Sequence, residues 1–562
     1  MAEPKRIYLA LILLLSVAVN IGFLRNDSFF RDDYHFIVNN PAIRDIGKVP
    51  SFFTSLSTGS SSRENQVVYR PVAAATYALN YYIGGLDPLG YHVFNLAIHL
   101  FNVVLVYLVI RAVSPEETLA LGSALLFAIH PINSEVMNFI NTRSSELSVS
   151  FYLLSFYFYL LKASAESKGR RLFFLSGSLF FFAASIFTKE LAVTLPLVIM
   201  AHYLLFRKKR LGQGLKETVL LTPPYLIVLA LYMILRHRLL EAEGLLGKSH
   251  QLYDNIWIPA EVILRQIKTL ALPYDLSAFY FGFNPVAHLT ASSAFALAII
   301  AALVIAPFFI RKDLGFSLWW ILLTGLPTAA FEMKSQASLI LDHRLYVMAP
   351  GFAFVASFVI LKASGLAGGA SKKAFTVVMI IIAASFSIIH VQRNIVWGSG
   401  VSVSQDLVRK YPGAALAHYF LGESYARKNR LDEAKDSYRK SIELDPTATI
   451  ARNNLAGILV AEGRLDEAAS ELNRIIEYNP GYYYAHFGLG YIYDKKGLYD
   501  AAVREYVEGL EVNPRSLPAR LSLGDLYFRL KLEGPAKTEY RKALEIDPDS
   551  REAAERLKEL MN

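Results

Sequence analysis

The 562-residue chain contains no cysteine. Disulfide cross-links are therefore excluded, and so are zinc sites built on thiolates. Neither an HExxH nor an HxxEH pattern occurs, which removes the usual metalloprotease signatures, and no metal is expected. The first apolar run is not followed by a small-residue cleavage site, so it is expected to be retained as an anchor and not removed as a signal peptide. A cysteine-free chain is compatible with any compartment and inclines toward a prokaryotic inner membrane over a eukaryotic secretory lumen.

What the chain has in abundance is apolar sequence, at 54% of residues with a mean hydropathy of +0.33. Crossing roughly 30 Å of hydrocarbon as helix takes about 20 apolar residues. Eleven candidate runs occur, at 7–24, 91–111, 118–131, 146–162, 172–187, 190–206, 219–239, 290–310, 316–331, 345–362 and 374–391. The formal charge of +9 sits in this part of the chain, and residues 401–562 are slightly acidic. Its basic clusters fall in alternate loops: Lys5-Arg6, Lys162 to Arg171, Arg207 to Lys216, Arg311-Lys312 and Lys362 to Lys373. Positive loops stay in the cytoplasm, so the basic balance reports membrane topology and not nucleic-acid binding. An inside N-terminus and eleven crossings put everything after residue 391 outside, in a periplasm, or in a lumen if the source is eukaryotic.

The last third has a strict period. Pro412, Pro446, Pro480, Pro514 and Pro548 are 34 residues apart. Ala434, Ala468, Ala502 and Ala536 share one slot of the repeat, and Tyr438, Leu472, Tyr506 and Tyr540 share a large one. This is the tetratricopeptide pattern, in which each helix pair buries its apolar face only by stacking on a neighbour. The chain thus reads as an all-α polytopic membrane domain over 1–391, a linker over 392–411, four repeats over 412–548 that form an α-solenoid, and a capping helix over 549–562. Tyr419, Asn453, Tyr484, Phe487 and Tyr491 are expected on the concave face, where they would meet an extended peptide. For each aromatic, packing between repeats is an equally good reading.

Polar residues of the membrane part collect on the side opposite the basic loops. Asp32 and Asp33 open the first outer loop, and Tyr69 and Arg70 lie later in it. His130, Glu135 and Arg143 mark the second outer turn, Lys189-Glu190 the third, and Asp342-His343-Arg344 the turn before the tenth run. Ionisable groups near hydrocarbon are costly unless they line a polar site, so four turns converging in this way point to function. Blander readings stand beside each cluster. An Asp-Asp pair is commonly a solvated turn, and Lys189-Glu190 fits an interfacial ion pair at a helix start. Asn95, His99 and Asn102 share a helix face and fit interhelical hydrogen bonding.

The order RDDYHFIVNNPAI, YRPVAAATYALNYYIGG, FAIHPINSEVMNFINTRSSE, FTKELAVTLP, LPYDLS and DHRLYVMAPGF, followed by tetratricopeptide repeats, resembles the transmembrane-and-tetratricopeptide protein O-mannosyltransferase family. That resemblance implies a GT-C glycosyltransferase. Its donor would be a polyprenyl-phosphate sugar, mannose first, and its acceptors Ser or Thr hydroxyls of exported proteins brought in by the repeats. No cofactor is implied beyond this donor substrate, and membrane lipid is the other partner. The family's acidic motif falls on Asp32 and Asp33, with Asp32 favoured as base and Asp33 orienting a substrate. Transfer to a hydroxyl needs such a carboxylate, and it needs cations where phosphate charge grows. Arg70, Arg143, Lys189, His343 and Arg344 are the candidates for the donor phosphate and sugar, with Tyr69, His130, Glu135 and Glu190 organising them. Two other readings remain open: a transferase of this fold acting on lipid or polysaccharide, and a non-catalytic membrane-anchored repeat scaffold.

Overall fold

A computed structural model describes residues 3–22, 26, 29–61, 68–206, 222–245, 257–281, 290–333, 342–365, 371–548 and 550–560. The basic stretch 207–216, the first residues of the 219–239 run, and parts of 362–373 and 549–562 lie outside these. Among the described residues every regular element is a helix. The chain forms two compact units, Met1–Val403 and Ser404–Asn562.

Each of the eleven apolar runs is helical over most of its described residues. Among the described residues, five helices are both long and apolar enough to cross a membrane: Pro88–Val113, Ile140–Ser164, Lys168–Thr188, Ala291–Phe308 and Lys373–Val396. Four shorter apolar helices accompany them: Arg6–Asn20, Glu117–Ile129, Glu190–Phe206 and Ala349–Gly365. Local chemistry sets the helix starts. Asp87 accepts from the Leu89 amide ahead of Pro88, and Thr290 and Ser293 form a reciprocal capping box. The structure adds two helices that the run pattern misses, Pro71–Gly84 and Trp257–Ala271. The expected linker at 392–411 is mostly helix, comprising the end of Ser371–Val396 and then Gly400–Lys410. Between them Trp397 is buried within the first unit, its ring 5.7 Å from Phe30 and 6.3 Å from Phe139.

Small residues let the membrane helices approach closely. Helix Arg143–Ser164 packs along Lys168–Thr188 through two reciprocal serine pairs. Ser185 donates to the Ser148 carbonyl at 2.7 Å and Ser148 to the Ser185 carbonyl at 3.2 Å. Ser155 and Ser178 repeat the exchange at 2.6 and 2.8 Å. A Cβ on Gly177 would lie 2.3 Å from the Phe158 ring, so only glycine fits that crossing. Asn95, His99 and Asn102 do bond between helices: His99 bridges the Tyr346 hydroxyl and the Ala128 carbonyl, and Asn102 donates to the Glu146 carbonyl.

In the second unit the four repeats pair Ala415–Arg427 with Leu431–Leu444, Thr449–Ala461 with Leu465–Tyr478, Tyr483–Lys495 with Tyr499–Val512, and Leu517–Arg529 with Glu533–Ile546; Arg551–Glu559 caps them. The small and large slots are complementary. A Cβ on Gly422, Gly490 or Gly524 would meet the ring of Tyr438, Tyr506 or Tyr540 at 2.6 to 3.0 Å. Each turn within a pair passes through the left-handed region at one slot, held by Asn429, Gly463, Gly497 and Lys531.

Candidate functional site

A cavity of about 270 Å³ opens in the first unit, and residues from all four outer turns line it. Asp32, Arg70, Glu135, Lys189, Glu190, His343 and Arg344 all face it. Arg31, Phe279 and Trp397 line it too and escaped the reading of motifs. Arg31 opens the motif RDDYHFIVNNPAI and Phe279 stands two residues past LPYDLS, so both were within reach of that reading, whereas Trp397 lies between the last apolar run and the repeats.

The two adjacent aspartates have separate tasks. Asp33 is buried, with one carboxylate oxygen accepting the Phe30 amide at 2.9 Å and the other the Asn141 amide at 2.7 Å. It therefore ties the first outer loop to the second outer turn, and it does not line the cavity. Burial pushes its carboxyl up to about 8. Asp32 is half-buried, lines the cavity, and forms no hydrogen bond or ion pair among the described residues. The residue before it, Arg31, is held at φ 46°, a conformation that a side chain with a Cβ seldom adopts and that costs of order 1–3 kcal/mol. Its guanidinium lies 4.3 Å from the centre of the Phe279 ring. This strained turn precedes two successive carboxylates in different settings, one lining the cavity and one bonded to two backbone amides.

The cations form a graded set. Arg70 holds Glu190 through two bonds, of 2.7 and 3.3 Å, which fixes both side chains at the rim. Lys189 is buried and donates to the Ser145 hydroxyl at 2.6 Å. Burial, reinforced by Arg70 and Arg344, holds its ammonium well below the usual lysine range. Glu135 accepts the His343 backbone amide at 3.0 Å and faces its ring Nδ1 at 2.8 Å. Burial pushes the Glu135 carboxyl above the usual carboxylate range and holds the His343 imidazole well below the usual histidine range. The cavity lining thus brings Arg31, Arg70, Lys189 and Arg344 around Asp32, beside Glu135 and Glu190. The cavity suits an anion with a hydroxyl beside it.

Three expected site residues stand elsewhere. Arg143 is fully buried, and its guanidinium is spent on the Asn95 and Asn80 side chains at 2.7 and 2.6 Å and on the Thr76 and Tyr91 carbonyls. It joins three helices and does not line the cavity. Tyr69 gives its hydroxyl to the Phe53 carbonyl and stacks on Tyr232. His130 bonds the Leu270 carbonyl, with its ring edge against Phe386. Both are packing residues behind the site.

In the repeat unit, Tyr484 and Tyr491 are exposed, while Tyr419 and Asn453 are half-buried. Phe487 packs inward, where a Cβ on Gly509 would come within 2.4 Å of its ring. That contact assigns Phe487 to stacking between helices and removes it from the expected peptide surface.

Tetratricopeptide repeat models match residues 425–487, 459–516 and 517–550. The protein O-mannosyl-transferase F38B6.6 of Caenorhabditis elegans is 23% identical over 452 residues, covering 78% of this chain and 63% of that protein. Protein O-mannosyl-transferase TMTC1 of Homo sapiens is 33% identical over 176 residues, 30% of this chain and 20% of that protein. The similarity is to the TMTC proteins. The resemblance read from the motifs is thus matched by relatives, and the chain spans about a fifth of one and under two thirds of the other. A solved structure described as YrrB, a TPR protein with an unusual peptide-binding site, is 25% identical and covers 28% of this chain and 81% of its own, with a TM-score of 0.26.

Proposed function

We propose that the first unit is a GT-C-type glycosyltransferase that moves a sugar, mannose first, from a polyprenyl-phosphate carrier to Ser or Thr hydroxyls of exported proteins. The observation that carries this reading is the single cavity in which Asp32 faces Lys189, Arg70 and Arg344. A hydroxyl is a poor nucleophile until its proton is taken. Asp32 accepts that proton as the hydroxyl oxygen bonds to the anomeric carbon and the bond from that carbon to the phosphate oxygen breaks. The departing lipid phosphate gains negative charge, which Arg344, Lys189 and Arg70 meet. Asp33 and the Glu135–His343 pair position these groups. The repeat unit then serves as the acceptor-recruiting arm, offering Tyr484 and Tyr491. Purified protein given polyprenyl-phosphate mannose and a Ser/Thr-rich exported protein is expected to yield mannosylated protein. Transfer to lipid or polysaccharide alone would replace the acceptor class, and no transfer to any hydroxyl would end the enzymatic reading.

Lys189 gives this site a pH signature. A bound phosphate restores the proton that burial disfavours, so binding takes up protons and weakens as pH rises through the free-state pKa of Lys189. Calorimetry of polyprenyl-phosphate binding in buffers of different ionisation heat measures that uptake. Lys189→Met is expected to remove it, and uptake unchanged in that variant would take Lys189 out of the phosphate site.

The proposed orientation places the cavity and residues 404–562 on the periplasmic side of a bacterial inner membrane. A reporter active only in the cytoplasm, fused after Asn562, is expected to stay silent. A strong signal would invert every outer turn and with it the access of exported acceptors.

A further inference from the structure

In three of the four repeats a proline carbonyl and a helix pair are joined by the same device; the first repeat has only its first half, His418 against the Pro412 carbonyl, with Ser437 in the place of the glutamate. The side chain six residues after the proline reaches back to its carbonyl: Arg452 to Pro446, His486 to Pro480 and Arg520 to Pro514. Each also meets a glutamate on the second helix, 19 residues further on: Glu471, Glu505 and Glu539 respectively. In the second and fourth repeats the pairing is arginine with glutamate, a satisfied ion pair.

The third repeat departs from this twice at one point. His486 replaces the arginine, and Glu508 occupies the slot that holds Lys440, Arg474 and Lys542 in the other repeats. Lys542 there donates to Glu539, whereas Glu508 brings a second carboxylate toward the histidine. His486 is 5% exposed, and its Nε2 lies 3.1 Å from the Pro480 carbonyl, which can only accept, so Nε2 carries the hydrogen. In the neutral imidazole the Nδ1 lone pair then faces Glu505 Oε2 at 2.9 Å and Glu508 Oε2 at 3.5 Å. The three ligand atoms lie within 4.8 Å of one another. Three electron-pair donors converge where the neighbouring repeats have a cation.

We propose that His486, Glu505 and Glu508 form a binding site for a zinc-type divalent cation that clips together the two helices of the third repeat. One imidazole nitrogen and two carboxylate oxygens, with water in the open position, suit Zn²⁺. At zinc bond lengths of about 2.0–2.2 Å a tetrahedral site separates its ligand atoms by roughly 3.3–3.5 Å. The Nδ1 to Glu508 distance already matches, and Glu505 needs to withdraw by only about half an ångström. The Nε2 hydrogen bond to a backbone carbonyl is the outer contact that fixes the tautomer of a metal-bound histidine. The clip closes beneath the helix carrying Tyr484 and Tyr491, so the cation stiffens the segment presenting those rings.

The neighbouring repeats supply the test variants. His486→Arg copies Arg452 and Arg520, and Glu508→Lys copies Lys440 and Lys542; both keep the fold by precedent, which circular dichroism checks. Full-length protein in lipid nanodiscs, purified without a histidine tag and stripped with chelator, is titrated with Zn²⁺ against a fluorescent chelator. The wild type is expected to bind one Zn²⁺ that each variant binds at least about 100-fold more weakly, with Mg²⁺ unable to displace it. Equal Zn²⁺ binding by wild type and folded His486→Arg overturns the site. So does a wild type that binds no Zn²⁺, which leaves a proton on Nδ1 as the cation.

Discussion

Replacing Asp32 by Asn is expected to lower turnover by roughly 10²–10⁴-fold while polyprenyl-phosphate binding stays nearly unchanged. Asparagine keeps the size of the side chain but cannot accept the hydroxyl proton, so the loss falls on kcat. Asp33→Asn is expected to behave differently. Asp33 spends both carboxylate oxygens on backbone amides of two outer segments, and an amide offers only one acceptor oxygen. One of those amides is orphaned, and the expected result is lowered thermal stability together with partial activity. Kinetic titration of both variants with a defined peptide acceptor, alongside thermal unfolding, separates the two patterns. Wild-type turnover in Asp32→Asn would leave the proposed transfer without its base.

Arg143→Leu is expected to cost about 3–5 kcal/mol of stability. The substitution leaves the Asn95 and Asn80 oxygens and the Tyr91 carbonyl without their donor in a dry interior. It also removes a cation stacked 4.7 Å from the centre of Phe94 and 5.0 Å from that of Tyr77. Arg143→Lys keeps the charge yet cannot reach four partners in three directions, so it is expected to be destabilised as well. Unfolding of the purified variants in detergent measures both effects. A leucine variant as stable as wild type, with weakened donor binding, would return Arg143 to the phosphate site and overturn its assignment as a tie between helices.

The period of the repeats was legible because stacking demands the same small and large residues at each turn, as Gly422 against Tyr438 and Gly524 against Tyr540 illustrate. The apolar runs were legible because lipid imposes both length and composition. Helix Pro71–Gly84 escaped for the same reason. At 14 residues it is shorter than a span, although Pro71 at its start and Gly85 at φ 63° just past its end were in view. Within the site, Asp32 and Asp33 are neighbours in an identical local sequence, and nothing local says which faces the cavity. That is decided by the strained Arg31 and by Asn141, 108 residues away from Asp33. Arg143 and Arg344 likewise look alike in the sequence. What distinguishes them is that Asn80 and Asn95, from two other helices, close around the first.

The two reciprocal serine pairs between helices Arg143–Ser164 and Lys168–Thr188 also act as a ratchet stop. Sliding one helix by a single residue, about 1.5 Å, pulls the four hydroxyls away from the carbonyls they reach on the other helix. The hairpin therefore answers a thicker or thinner bilayer by tilting as one piece, without its two helices shifting lengthwise. Ser145 and Lys189 sit at the same end of that hairpin and bond to each other. The register that the serines hold therefore also holds the spacing of that bond.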